Sequence, residues 1–279
     1  MSAPLDARTG ASLRDGRLRV VLCTRGGLFG ALVLRELRAC DRLEVCGIVR
    51  SSRLFHPSLG ILRGALAYLR RSGVAYSLYL WCATTLADVL CGLSRLGAVP
   101  TRKSARGVRV HTTRDINDPK ALKFLSGCAP DLLVSAFFDQ RLGEAVLAVP
   151  AHGSVNVHPS LLPEFKGVDP VLQATLRGAR TGVSVHYMTP TLDSGAIIAQ
   201  RPIDSSGTVS IFTATARLFR EGAEMLVAVI DQVARGQAGT AQGDPGTYQS
   251  WPTRADIRAL HTRAGALIRL SDLKWIFDA

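Results

Sequence analysis

Five short apolar runs recur along this chain with longer, helix-patterned or polar stretches between them: RVVLCT (19–24), EVCGIV (44–49), VRVHT (108–112), DLLVSAF (131–137) and SVNVHP (154–159). Runs this short have strand length. Their mostly unbroken apolar character marks strands covered on both faces. A helical pattern follows the first run over roughly 29–40, and another starts at Pro119, with Asn117 or Asp118 ahead of it as the cap. Strands separated by helices predict an α/β fold built on a doubly wound, mainly parallel sheet. GVSVHYM (182–188) and AIIAQRPI (196–203) read as a further strand pair joined by the TPTLDSG turn. Ligands of such sheets bind beyond the carboxyl ends of the strands. Polar side chains at those ends are therefore the first candidates for a site.

Two segments stand outside the alternation. Residues 54–100 are apolar, aromatic and studded with Arg, and VAYSLYLWCATTLADVLCGL (74–93) has the length of a membrane span. Asp88 inside it, and Arg63, Arg70 and Arg71 before it, argue against a span. We expect a helical insertion that caps the sheet, forms a homodimer contact or touches a membrane surface through residues 60–95. Residues 206–279 follow the sheet as an expected C-terminal helical extension, with a helix over about 209–235 and a short one after Pro252 and Thr253. The first 16 residues read as a disordered tail with no apolar core of a secretory signal. Residues 17–205 form the expected central domain.

The formal charge of +12 permits an anionic partner. Most of the basic residues are Arg and no long basic run occurs, so the charge is discounted as a nucleic-acid signal. Cys23, Cys40, Cys46, Cys82, Cys91 and Cys128 form no Cys-x-x-Cys pair, have no clustered His, and read as small hydrophobes in a reducing, cytoplasmic setting. No metal site is expected.

Asn156 and His158 close the last apolar run, and Asp193 sits in the turn before Gly195. An amide, an imidazole and a carboxylate on adjacent strand ends can manage nucleophilic attack on a carbonyl. Taken one by one they are as well read as strand-end hydrogen-bonding groups and a turn acid. His186, on the strand that leads to Asp193, reads most simply as a satisfied core histidine.

The motif gives them a joint meaning. NVHPSLLPEFKG (156–167) followed by TLDSG (191–195) resembles the folate-dependent formyltransferases, whose pattern is Asn-x-His-x-Ser-Leu-Leu-Pro, a Gly, and a downstream Leu-Asp-x-Gly turn. PDLLVSAFFDQRLG (130–143) is similar to the family's strand and loop over the pterin. The resemblance covers about 17–205. It implies a catalytic domain over those residues, with 10-formyltetrahydrofolate as formyl donor. It also implies Asn156, His158 and Asp193 as the catalytic group, with Asp193 also near the cofactor, and Phe138, Gln140, Arg141 and Leu142 as further cofactor-binding residues. Chemically, Asn156 would donate to the oxyanion, His158 would donate or pass on the amine proton, and Asp193 would hold the imidazole. Gly26 and Gly27 of TRGGLFG, where family members hold the acceptor, and Lys166 with Gly167 are the expected substrate-binding residues. Lys166 stands where the family usually has Arg, a point charge in place of a bidentate donor.

The acceptor is expected to be the amine of a small molecule, with nucleic acid disfavoured as a partner. Methionyl-tRNA is the alternative. That subfamily resembles a catalytic domain plus a C-terminal β-barrel, and the residues after the 209–235 helix are too few for one. Hydrolysis of the formyl donor and a non-catalytic folate-binding module are the other readings.

Overall fold

The computed structural model describes residues 16–53, 60–86, 107–204, 210–243, 246–263, 265–273 and 275. In chain order these form β1 (Leu18–Thr24), α1 (Gly27–Ala39), β2 (Leu43–Ser51), α2 (Ile61–Trp81), β3 (Arg109–Thr113), α3 (Pro119–Cys128), β4 (Leu132–Ala136), α4 (Glu144–Leu147), β5 (Ser154–His158), β6 (Lys166–Gly167), α5 (Pro170–Arg177), β7 (Gly182–Tyr187), β8 (Ile197–Pro202), α6 (Ile211–Ala228), α7 (Ile230–Ala234), β9 (Tyr248–Gln249) and α8 (Arg254–Thr262). Seven strands make one sheet in the order β3-β2-β1-β4-β5-β7-β8. The first five pair in parallel, and β7 and β8 add antiparallel at one edge. The expected α/β fold with a mainly parallel, doubly wound sheet is what the chain adopts.

Successive residues of a strand face opposite ways, and β1 serves both faces. Val20 and Leu22 join the core under α1 and α6, where Phe29 stacks on Phe219 at 5.6 Å between ring centroids. Val21 and Cys23 join Leu125 and Cys128 of α3 in the core of the other face. Burying each large apolar side chain stabilises by roughly 1.5–3 kcal/mol. Sequence signals fix the helix starts. The Asp118 carboxylate accepts from the Ala121 N–H at 2.7 Å with Pro119 in the first turn. Ser210 caps α6, and Thr253 with Asp256 forms a capping box on α8.

Within the insertion, α2 is broken at Gly73, whose φ of 84° and ψ of 176° are not helical, and a π turn over Cys82–Leu86 follows it. Tyr76 and Tyr79 are buried in the main core. Among the described residues no helix is long and apolar enough to cross a membrane. Asp88 and the rest of 87–106 lie outside the described residues. In the segment expected as a helical extension, α6 packs on β5 and β7. That segment also supplies a strand: β9 pairs in parallel with β6, Lys166 opposite Tyr248 and Gly167 opposite Gln249.

Candidate active site

Asn156 and His158 lie two residues apart on β5 and so share one face of the sheet. His186 of β7 is the cross-strand neighbour of Asn156. Asp193 enters from the β7–β8 turn with a left-handed backbone, φ 49°. Its Oδ1 lies 3.7 Å from His158 Nδ1 and 3.8 Å from His186 Nε2. Its Oδ2 accepts the Gly167 N–H at 2.8 Å. Only glycine fits at position 167: φ is 96°, and a Cβ would lie 2.3 Å from the Gln249 carbonyl oxygen.

The hydrogen-bond partners assign the ring protons. His186 Nδ1 faces the Tyr187 carbonyl at 2.8 Å and must be the donor there. In the neutral ring Nε2 is then an acceptor, and the Asn156 Nδ2 donates to it at 3.1 Å. Burial pushes the His186 pKa down to about 4, against the pull of Asp193, so the ring is neutral at pH 7. Asn156 thus has a fixed orientation, with its second N–H free for another acceptor. His158 differs: its Nε2 faces the Phe165 carbonyl at 3.1 Å while Nδ1 faces Asp193. Nδ1 is 3.7 Å from the Asp193 carboxylate, beyond a hydrogen bond, so the Phe165 carbonyl is the one direct partner of this ring.

Asn156, His158 and Asp193 open into a cavity of about 370 Å³, within the range of small-molecule sites. Phe137, Phe138, Leu192 and Phe219 give it apolar walls, and Tyr76, Tyr79, Tyr248 and Trp251 line it from the insertion and the tail. Arg25, also on the wall, pairs with Asp139 at 3.4 Å, and the Ser51 hydroxyl donates to the same carboxylate at 2.5 Å. Burial pushes Asp169 up to about 6, against the Tyr76 hydroxyl that donates to it at 3.0 Å.

The other expected residues divide. Phe138, Gln140 and Arg141 border the cavity. The Gln140 amide, however, is spent on the framework: it donates to Ser51 Oγ at 2.7 Å and accepts the Ile116 N–H at 2.6 Å. Leu142 is a core residue beneath the loop. Gly167 borders the cavity, whereas Lys166 borders a neighbouring pocket and donates to Ser194 Oγ at 3.3 Å. Gly26 and Gly27 are not among the cavity's lining residues. A Cβ on Gly27 would lie 2.1 Å from the Ala83 carbonyl oxygen, so the π turn of the insertion packs directly on this loop. Sequence alone does not show the hydrogen bond of His186 to Asn156 or the placement of Arg25, Asp139, Tyr76, Tyr79 and Asp169 around one cavity. A lone polar residue in a strand or loop carries no pattern, and the aromatic pair lies within an apolar run that masks it.

Fold and geometry define an α/β protein with an amide–imidazole–carboxylate cluster at the carboxyl edge of its sheet. The sequence model of the family described as Formyl transferase matches residues 93–230, which include the whole cluster. Over residues 93–230, just under half its length, the chain carries a formyl transferase domain sequence. It is 40% identical over 142 residues to the methionyl-tRNA formyltransferase of Roseiflexus sp. (strain RS-1), a match of 50% of this chain and 44% of that protein. The chain therefore spans less than half the length of that curated relative. Two solved structures share the fold. A sugar N-formyltransferase from Shewanella sp FDAARGOS_354 has a TM-score of 0.55 at 14% identity, over 93% of this chain and 86% of that one. Glycinamide ribonucleotide transformylase 1 from Symbiobacterium toebii has a TM-score of 0.53 at 18% identity, over 85% and 100%.

Proposed function

We propose that this chain transfers a formyl group from 10-formyltetrahydrofolate to a primary amine. The observation that carries the reading is the convergence of Asn156, His158 and Asp193 on one cavity, with buried His186 holding Asn156 from behind. The cavity suits a reduced folate in kind: aromatic and apolar walls at Phe137, Phe138 and Leu192, and polar groups at Asp139 and Arg141. Bound there, the folate supplies the formyl carbon that the amine attacks. Asn156 donates its free N–H to the oxygen on which negative charge develops, held in place by neutral His186. One such donor contributes on the order of 100-fold or more in rate. His158, facing Asp193, holds or moves the amine proton. Asp193 offsets charge on that ring and is itself fixed by the Gly167 N–H.

Two acceptors compete. The curated relatives carry the name methionyl-tRNA formyltransferase, which supports methionyl-tRNA better than the small amine favoured from sequence. A tRNA acceptor runs against the expectation that nucleic acid is disfavoured. A small amine is favoured by one observation: Tyr76, Tyr79 and Trp251 wall the cavity down to about 370 Å³. The test is transfer of a labelled formyl group from 10-formyltetrahydrofolate to methionyl-tRNA, glycinamide ribonucleotide and a UDP-linked 4-amino sugar. Label on one of these amines supports the reading. Release of formate alone points to hydrolysis, and saturable folate binding without turnover points to a binding module.

A further inference from the structure

We infer that Asp169 is a specificity-determining residue that receives the amino group of the acceptor. The inference rests on the formyl-transfer reading above. Asp169 lines the same cavity as Asn156, His158 and Asp193. Its carboxylate is incompletely used by the protein. The Tyr76 hydroxyl donates to Oδ2 at 3.0 Å, and the Leu172 N–H reaches Oδ1 only at 3.5 Å, the outer limit of a hydrogen bond. An ionised carboxylate offers roughly four acceptor positions. No ion pair reaches it among the described residues, and the Arg25 on the same wall is paired with Asp139 instead. A carboxylate half-buried among tyrosines, short of donors and bordering a cavity, fits a ligand that brings N–H groups. An ammonium or a neutral amine brings them, the first with a charge that strengthens the bond.

The geometry also gives the insertion a task. Tyr76 belongs to α2, inside the segment that interrupts the alternation of strands and helices, and its hydroxyl fixes one oxygen of Asp169. The backbone of Asp169 is left-handed, φ 49°, and its side chain caps α5. Asn tolerates that conformation and caps as well as Asp does. Asp169→Asn therefore removes the charge while keeping the structural duties of the residue.

The experiment compares the full chain with Asp169→Asn and Tyr76→Phe, using 10-formyltetrahydrofolate as donor and methionyl-tRNA, glycinamide ribonucleotide and a UDP-linked 4-amino sugar as probe amines. For any amine that the wild type formylates, Asp169→Asn raises the acceptor KM about tenfold or more, the scale of one charged hydrogen bond. The donor KM changes by less than about twofold, and Tyr76→Phe raises the acceptor KM by a smaller factor than Asp169→Asn. Equal acceptor KM in wild type and Asp169→Asn overturns the inference while leaving formyl transfer intact. If the wild type formylates none of the three, the functional reading fails, and a measurement without turnover decides on Asp169. Carbodiimide coupling with methylamine, read by mass spectrometry, amidates Asp169 ahead of the paired Asp139 if small amines reach it. Absence of coupling at Asp169 overturns the inference.

Discussion

Asp193 stands between two imidazoles that its surroundings treat differently. His186 is sealed in and neutral, its donor taken by the Tyr187 carbonyl, so its remaining lone pair can only accept from Asn156. His158 bonds the Phe165 carbonyl through Nε2 and turns Nδ1 toward Asp193 at 3.7 Å. In the proposed reaction one ring positions an amide and the other handles protons. Replacing His186 by Ala frees the Asn156 side chain, and we expect the transfer rate to fall about tenfold or more with folate affinity little changed. Asn156→Ala removes the donor itself and is expected to cost on the order of 100-fold in single-turnover rate. Asp193→Asn should cost at least as much, because it removes the charge facing His158, and the loss should appear in kcat more than in donor KM. A His186→Ala enzyme with full activity would show that Asn156 needs no partner to stay aimed.

At the scale of elements, β1, β4 and β5 were legible in the sequence because both their faces are covered and each leaves an apolar run, whereas edge strand β3 is largely exposed and showed only as the alternation in VRVHT. Caps at Asp118 and Thr253 were legible because one side chain and one backbone N–H suffice to make them. The β6–β9 pair was not: two-residue strands have no period, and Lys166 meets Tyr248 only after the intervening helices fold. The insertion was legible as helical, but the break at Gly73 and the inward turn of Tyr76 and Tyr79 were hidden in a run that is apolar all round. Its contact with TRGGLFG shows most clearly at Gly27, where φ is 65° and the Ala83 carbonyl leaves no room for a Cβ. Gly27→Ala combines a left-handed penalty with overpacking, and is expected to destabilise by roughly 2–4 kcal/mol in chemical denaturation. A change of a few tenths would mean that the π turn does not press on α1.

For the whole molecule, the buried site links stability to pH. His186 has an ordinary value of 6.5 and a folded value of about 4, so the unfolded chain binds the proton more readily. Its contribution is complete above about pH 6.5 and is lost as pH falls toward 4, on the order of 1–2 kcal/mol by pH 5. Asp169, raised from 3.8 to about 6, acts in the opposite sense, losing stability as pH rises through that window. Comparing denaturation of wild type and His186→Gln at pH 7 and 5 isolates the histidine, and the variant should lose less. The central claim is that one cluster performs formyl transfer in a folate cavity. It is tested most directly by single-turnover transfer of labelled formyl from 10-formyltetrahydrofolate to the amine that the wild type accepts, with His158→Ala alongside and folate affinity measured separately. The account predicts a fall of about 100-fold or more in the rate with folate affinity preserved within about threefold. Transfer by His158→Ala at the wild-type rate would contradict it.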